Sequence, residues 1–133
     1  MKKLLVILPI IFTCGCTAIQ TTNPVKAYQY WAGASPAAGL TIHHASYWQS
    51  GHFTKEYILW MEIEAPAQWR QAFISQNNLQ PGTNNQPLLS SDKPSWFIIP
   101  PHAKTFVPKI FTQNAAYYID SQRGRLFIYE IQL

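Results

Sequence analysis

Alternation of apolar and polar positions is clearest at the C-terminal end of the chain. Residues 115–120 and 125–133 are two apolar segments, and the Ser-Gln-Arg-Gly connection between them is typical of a β-hairpin. Residues 57–64 also alternate with the two-residue period of a strand, and Glu62 and Glu64 share one of its two faces. We therefore expect antiparallel strands here, with the face that carries the two glutamates reaching water.

A helical period follows the strand over residues 57–64. Pro66 suits the first turn of a helix, where its missing N–H is not needed, and an apolar stripe is formed by Trp69, Ala72 and Phe73. Further strands are predicted over residues 40–45, 96–101 and 104–111, and Pro108 confines the last one to an edge or a bulge. The sum is an α+β domain: an antiparallel sheet of four to five strands with one packed helix, preceded by a signal peptide and a tether.

A long polar loop is predicted over residues 79–94, and loops of this length are commonly functional or disordered. Leu88 and Leu89 lie in the middle of this loop. Trp31 and Trp48 lie in other irregular polar stretches, where we expect them to be exposed or partly docked. Aromatic residues dominate the energetics of many interfaces, so the predicted binding surface consists of Trp48, Leu88 and Leu89. Three further tryptophans are assigned to the core: Trp60, Trp69 and Trp96.

The first residues of the chain have the plan of a secretory signal. Lys2 and Lys3 form a basic start, and the apolar run over residues 4–12 is shorter than the roughly 20 residues that span a bilayer as a helix. The junction Thr13-Cys14-Gly15-Cys16 resembles the lipobox of bacterial lipoproteins, which implies cleavage before Cys16 and transfer of a diacylglycerol to its sulfur. The alternatives are an ordinary secretory signal cut nearby and a buried N-terminal helix.

The lipoprotein resemblance implies three parts: a signal peptide over residues 1–15, a lipidated N-terminus and linker over residues 16–38, and the α+β domain over residues 39–133. Thr17 stands where an aspartate would resemble the inner-membrane retention signal, so the resemblance implies anchoring at the periplasmic face of the outer membrane. Such an anchor holds a protein to a bilayer without spanning it. Aromatic residues are unusual in a free tether, and a second interpretation is that three of them dock onto the domain as an edge segment: Tyr28, Tyr30 and Trp31.

The composition and net charge restrict the classes of function that are possible. The chain of 133 residues carries a formal net charge of +4, and two of the positive charges lie in the signal segment at Lys2 and Lys3. The remaining balance is too weak for a nucleic-acid-binding protein, which needs basic residues gathered into a patch. The 5 Trp, 7 Tyr and 7 Phe provide enough apolar surface for a folded core. Because Cys14 leaves with the signal and Cys16 is lipidated, we expect no disulfide to hold this core.

Histidine is the first residue type to consider for a metal or catalytic site. His43, His44 and His52 lie close together in the sequence, and His102 is distant from them. On a regular strand His43 and His44 face opposite sides of the sheet, so they cannot both bind one metal ion.

The acidic residues offer no catalytic pair either. We interpret Glu62 and Glu64 as a solvated edge rather than as two acids that flank a substrate. Asp120 is interpreted as a turn residue whose side chain bonds the following backbone. No Gly-x-Ser-x-Gly motif surrounds a serine. The sequence therefore assigns no catalytic residue, no metal ligand and no cofactor.

The folded part resembles a set of uncharacterised small bacterial lipoproteins over residues 56–133. The motifs that carry this resemblance are Ala65-Pro66, Pro94-Ser95-Trp96-Phe97 and Leu126-Phe127-Ile128-Tyr129. The resemblance implies a lipoprotein domain and no particular activity.

These observations favour a non-enzymatic, membrane-anchored lipoprotein that faces the periplasm and acts as a protein-binding module. This class includes immunity proteins that neutralise a toxin acting in the periplasm. The expected partners are the bilayer, through acylated Cys16, and another envelope or toxin protein, without nucleic acid. An accessory structural component of an envelope or secretion assembly is the alternative. A small hydrolase or glycan binder is a third class, which a cleft joining histidine and a carboxylate would favour.

Overall fold

The computed structural model describes residues 17–82, 89–110 and 114–133. Within these ranges seven antiparallel strands form a single sheet, and two helices pack on one of its faces. In chain order the elements are β1 (Ile19–Thr21), α1 (Pro24–Ala32), β2 (Thr41–Gln49), β3 (Tyr57–Glu64), α2 (Ala67–Gln76), β4 (Leu79–Pro81), β5 (Lys104–Pro108), β6 (Asn114–Asp120) and β7 (Arg125–Gln132). The spatial order of the strands is β1-β2-β3-β7-β6-β5-β4, so β3 and β7 lie near the centre.

The expectation of four to five strands with one packed helix is wrong. The additional elements are the two edge strands β1 and β4 and the helix α1. Each edge strand has only three residues, which is too short to show a two-residue period in the sequence. Tertiary pairing with a longer neighbour therefore forms these strands, because β1 pairs with β2 and β4 pairs with β5.

Helix α1 lies within the segment that the sequence assigns to a linker. Pro24 occupies the first turn of this helix instead of breaking it, and the side chain of Asn23 accepts a hydrogen bond from the Lys26 N–H at 2.9 Å. Gly33 ends the helix with a φ of 69°, in the left-handed region that glycine adopts without strain. Tyr28 is buried, so the helix docks on the sheet. Together, β1 and α1 match the docked edge segment of the second interpretation.

Other predicted elements are confirmed. The strand over residues 57–64 is β3, and β6 and β7 form the C-terminal hairpin. Helix α2 begins one residue after Pro66, as predicted within the usual uncertainty of helix ends. Its apolar stripe is less buried than expected, because Phe73 is buried, Trp69 is half-buried and Ala72 is exposed.

Both faces of the sheet are covered, so the prediction that one face reaches water is wrong. We call them the helix face, covered by α1 and α2, and the loop face, covered by residues 89–103. Residues 59–63 of β3 and 126–130 of β7 are buried without interruption. A strand that is covered on both sides has no water-facing row of side chains.

The loop face is closed by a segment that the sequence analysis predicted to be a strand. Residues 96–101 form no strand: the segment has turns at its two ends and irregular backbone between them. Phe97 is only 1% exposed, and its ring packs edge-on against Trp60 at 4.9 Å and Phe127 at 5.7 Å between centroids. The aromatic residues of this segment therefore cover the loop face by packing on it, and they do not form a strand of the sheet.

Candidate functional site

Of the predicted binding residues the structure describes Trp48 and Leu89, and both are half-buried. Cys16 and Leu88 lie outside the described residues. Leu89 is half-buried and packs against the loop-face core. Trp48 is half-buried on β2, directly opposite Ile58 on β3, and therefore also lies on the loop face. Part of the predicted loop is strand β4, which leaves a shorter connection for recognition.

A groove between α1 and α2 is a stronger candidate. Its cavity volume is about 630 Å³, which is within the range of ligand-binding pockets. We call it the interhelical groove. Its main lining side chains come from both helices and from the sheet: Tyr28, Trp31, Tyr57, Trp69, Phe73 and Glu130.

Among the described residues that line the interhelical groove, Glu130 is the one acidic side chain, and it is only 8% exposed. Three neutral donors bind its carboxylate. Trp31 Nε1 donates to Oε2 at 2.9 Å, and the hydroxyl of Tyr57 donates to the same oxygen at 2.8 Å. The hydroxyl of Tyr117 donates to Oε1 at 2.7 Å. The donors come from α1, β3 and β6, so the fold as a whole builds this cluster.

The charge of Glu130 has no cationic partner among the described residues. Each ion pair found there involves Glu62, Glu64 or Asp120 instead. A buried carboxylate without a counter-charge is costly, and the three hydrogen bonds offset only part of that cost. The groove therefore presents a negative electrostatic environment.

The tyrosines that bind Glu130 remain protonated at neutral pH. Burial raises the pKa of the Tyr57 hydroxyl strongly, and the nearby negative charge of Glu130 and its hydrogen bond raise it further. The same causes raise the pKa of Tyr117 strongly. Both hydroxyls thus act as permanent hydrogen-bond donors to the carboxylate.

Aromatic rings form the walls of the groove. Trp69 stacks on Phe73 at 5.3 Å between centroids, and Trp31 lies 6.2 Å from the same ring. Tyr28 meets Trp31 edge-on at 5.7 Å. Aromatic faces carry partial negative charge, so the walls have the same electrostatic sign as the carboxylate.

A second cavity lies on the loop face, with a volume of about 490 Å³. We call it the histidine cleft. Its polar lining consists of Glu62, His102, Asp120, Arg123 and Arg125.

Asp120 is fully buried beside the histidine cleft. Its Oδ1 accepts hydrogen bonds from His102 Nε2 at 2.9 Å and from the backbone N–H groups of Gln122 and Arg123 at 3.0 and 3.2 Å. Its Oδ2 has no hydrogen-bond partner in the described part of the chain. Burial by itself raises the pKa of Asp120, but the bonds from His102 and from the backbone outweigh it and lower the pKa. The predicted turn role is confirmed, and pairing with His102 is an additional role.

The two adjacent histidines reach the same face of the sheet, contrary to the sequence argument. The register of β2 against β3 shifts between Ile42 and His44, so the extra residue of an irregularity lies at His43. His43 Nε2 lies 2.8 Å from Glu64, and His44 Nδ1 lies 2.9 Å from Glu62. A regular strand would have separated the two histidines, and the shift brings them together.

Glu62 is not part of a solvated edge. It is only 6% exposed and is bonded by His44 and by Arg125. Glu64, its neighbour on the same face, is exposed. Among the residues that the structure describes, no group of three or more His, Cys, Asp or Glu side chains is placed to hold a metal ion.

The sequence analysis missed the Glu130 cluster, although one signal for it was present. Leu126 and Ile128 occupy the same face of the terminal strand, and both are completely buried. An acidic residue at the next position of such an apolar row indicates a buried carboxylate with partners. No comparable local signal marks the pairing of His102 with Asp120.

In the described part of the chain, no helix combines the length and the apolar character needed to cross a bilayer. Comparison with protein-family models, with curated proteins and with solved structures finds no match for this chain.

Proposed function

We propose that this protein is a lipoprotein anchored through Cys16 at the periplasmic face of the outer membrane, and that it binds an envelope or toxin protein through the interhelical groove. The observation that supports the binding role is the buried carboxylate of Glu130 at the floor of an aromatic-walled groove. A buried charge without a counter-charge lowers stability, so a structural role alone gives no reason to retain it.

The groove suits a protein partner better than the surface formed by Trp48 and Leu89. Its walls contain Trp31, Tyr57 and Trp69, and tryptophan and tyrosine are the residue types enriched at interaction hot spots. Because Trp69 stacks on Phe73 and Trp31 packs at a tilt against the same ring, these two side chains have little entropy left to lose on binding.

The anchor brings the groove close to the membrane. Strand β1 begins at Ile19, three positions after Cys16, and an extended chain of this length spans at most about 10 Å. Helix α1 follows at once and forms one wall of the groove. A partner that binds here is therefore a protein that works at the bilayer surface.

A photo-crosslinking amino acid at Gln76, which lines the groove, tests the proposed binding role in the native envelope. We expect a covalent adduct with one or a few proteins after illumination. The matched control carries the same amino acid at Phe53, which is fully exposed in the β2–β3 connection. Identical adducts from both positions, or none from Gln76, would contradict the proposal.

The identity of the adduct separates an immunity protein from the alternative function. A crosslinked toxin, together with protection of sensitive cells by this protein, supports the immunity role. A crosslinked structural protein of the envelope or of a secretion assembly supports the accessory role.

We do not propose a hydrolase activity for the histidine cleft. Asp120 orients His102, as a carboxylate orients a general base. However, the described lining includes no serine, threonine or cysteine to act as a nucleophile. The pair also has a structural use, because it ties the segment that covers the loop face to the sheet.

A further inference from the structure

We infer that the interhelical groove takes an alkylammonium group, the lysine side chain of the partner, with Glu130 as its counter-charge. This inference rests on the proposed function, since it names what the partner inserts into the groove.

The charge of the groove selects a cation. In the described lining Glu130 is the single carboxylate, and there is no lysine, arginine or histidine. Tyr57 keeps its proton, so it adds no charge, and Gln76 and Asn77 are neutral. An anion would meet a buried carboxylate and aromatic faces, whereas a cation would neutralise the first and be attracted by the second.

The carboxylate retains room for one further donor. An ionised carboxylate offers about four acceptor positions. Trp31 and Tyr57 use two of them on Oε2, and Tyr117 uses one on Oε1. A single N–H group of a ligand can therefore bind at Oε1.

This free position favours an ammonium group over a guanidinium group. Arginine binds a carboxylate best through two parallel hydrogen bonds, one to each oxygen. Oε2 of Glu130 already accepts from Trp31 and Tyr57, so this paired geometry is blocked. The ammonium of lysine is a compact point charge that binds through one contact, and its apolar stem can lie against the rings of Trp69 and Phe73.

Titration of the purified full-length protein in a nonionic detergent with butylammonium tests this inference. Butanol, with the same stem and no charge, and butylguanidinium serve as comparison ligands. Binding is followed by the NMR signal of the Trp31 indole N–H, which lies on the carboxylate. We expect saturable binding of butylammonium that is at least about tenfold tighter than that of either comparison ligand, as expected for one charge-assisted hydrogen bond.

Two matched variants locate the charge that is responsible. Glu130→Gln retains an acceptor of the same size and removes the negative charge, so butylammonium should bind at least about tenfold more weakly. Glu64→Gln removes the same charge from an exposed position on the loop face and should leave the binding unchanged.

The comparison of ligands on the unmodified protein decides the inference even if Glu130→Gln fails to fold. Equal binding of butanol and butylammonium, or no saturable binding, overturns the cation site. If Gln76 gives a photo-crosslinked adduct but the groove shows no preference for butylammonium, the proposed binding of a protein partner stands and the inference of an inserted lysine side chain is rejected. Selective butylammonium binding without an adduct supports the cation site and rejects the protein partner.

Discussion

At the scale of single residues, the Glu130 cluster is the feature with the largest chemical consequence. Trp31, Tyr57 and Tyr117 donate hydrogen bonds to a carboxylate that is only 8% exposed. These hydrogen bonds stabilise the negative charge of Glu130. Burial, and after it this negative charge, disfavours ionisation of Tyr57 and Tyr117. Because of this cluster, the free energy of unfolding should decrease at alkaline pH.

Alkaline pH should unfold the protein as Tyr57 and Tyr117 lose their protons. Their pKa values are raised above the ordinary value of 10.0, so the folded state keeps protons that the unfolded state releases. The stability from this difference is fully present below pH 10 and is lost progressively above it. Parallel measurements of phenolate absorbance and circular dichroism should show both hydroxyls ionising only as the fold is lost.

The charge of Glu130 provides a control for the alkaline transition. In Glu130→Gln burial still raises both pKa values, but the negative charge that raises them further is absent, so Tyr57 and Tyr117 should ionise at lower pH than in the unmodified protein. Ionisation of both tyrosines near pH 10 in the folded, unmodified protein would show that they are not held as described.

At the scale of elements, α2 is important because one of its residues joins the core to the groove. Phe73 is buried and contacts the rings of Trp31, Trp69 and Tyr117. Trp69 lies one turn earlier, is half-buried and forms part of the groove wall. The two aromatic residues of one helix thus have different roles, which the apolar stripe by itself does not distinguish.

Truncation of these two side chains should separate their roles. Phe73→Ala should lower the free energy of unfolding by about 3–5 kcal/mol, as expected for a buried aromatic residue. Trp69→Ala removes a half-buried ring and should cost less than Phe73→Ala in the same host. Chemical denaturation curves of the two variants provide the measurement. An equal or larger cost for Trp69→Ala would mean that Trp69 belongs to the core.

At the scale of the whole molecule, the fold is a sheet whose two faces have different covers. The helix face carries the interhelical groove, and the loop face carries the histidine cleft. The proposed anchor precedes the edge strand β1 by only a few residues. The molecule is therefore expected to stand close to the bilayer, instead of at the end of the long tether predicted over residues 16–38.

Replacement of the proposed lipidated residue tests this arrangement. Cys16→Ser should abolish incorporation of labelled palmitate and move the protein out of the membrane fraction. Cys14→Ser is the matched control, and it should retain both the label and the membrane location because Gly15 precedes Cys16 in the lipobox-like junction. Label that persists in Cys16→Ser, or an unmodified protein that fractionates as soluble, would show that Cys16 is not the site of a lipid anchor.

The sequence by itself determined those elements whose local pattern is long and regular. Strand β3, helix α2 and the β6–β7 hairpin follow from periodicity and turn residues, because side-chain spacing along one segment fixes which face is apolar. It did not determine β1 or β4, since three residues define no period, nor the shift at His43 that brings two histidines to one face.

The candidate site was decided only by the tertiary structure. Glu130 receives its donors from residues that are 99, 73 and 13 positions away in the chain. Local periodicity indicates that a residue lies on a given face, but it does not indicate which distant side chains cover that face. The apolar row of β7 indicates that Glu130 faces the core, but only the fold brings Trp31, Tyr57 and Tyr117 to its carboxylate and places it in the wall of a groove.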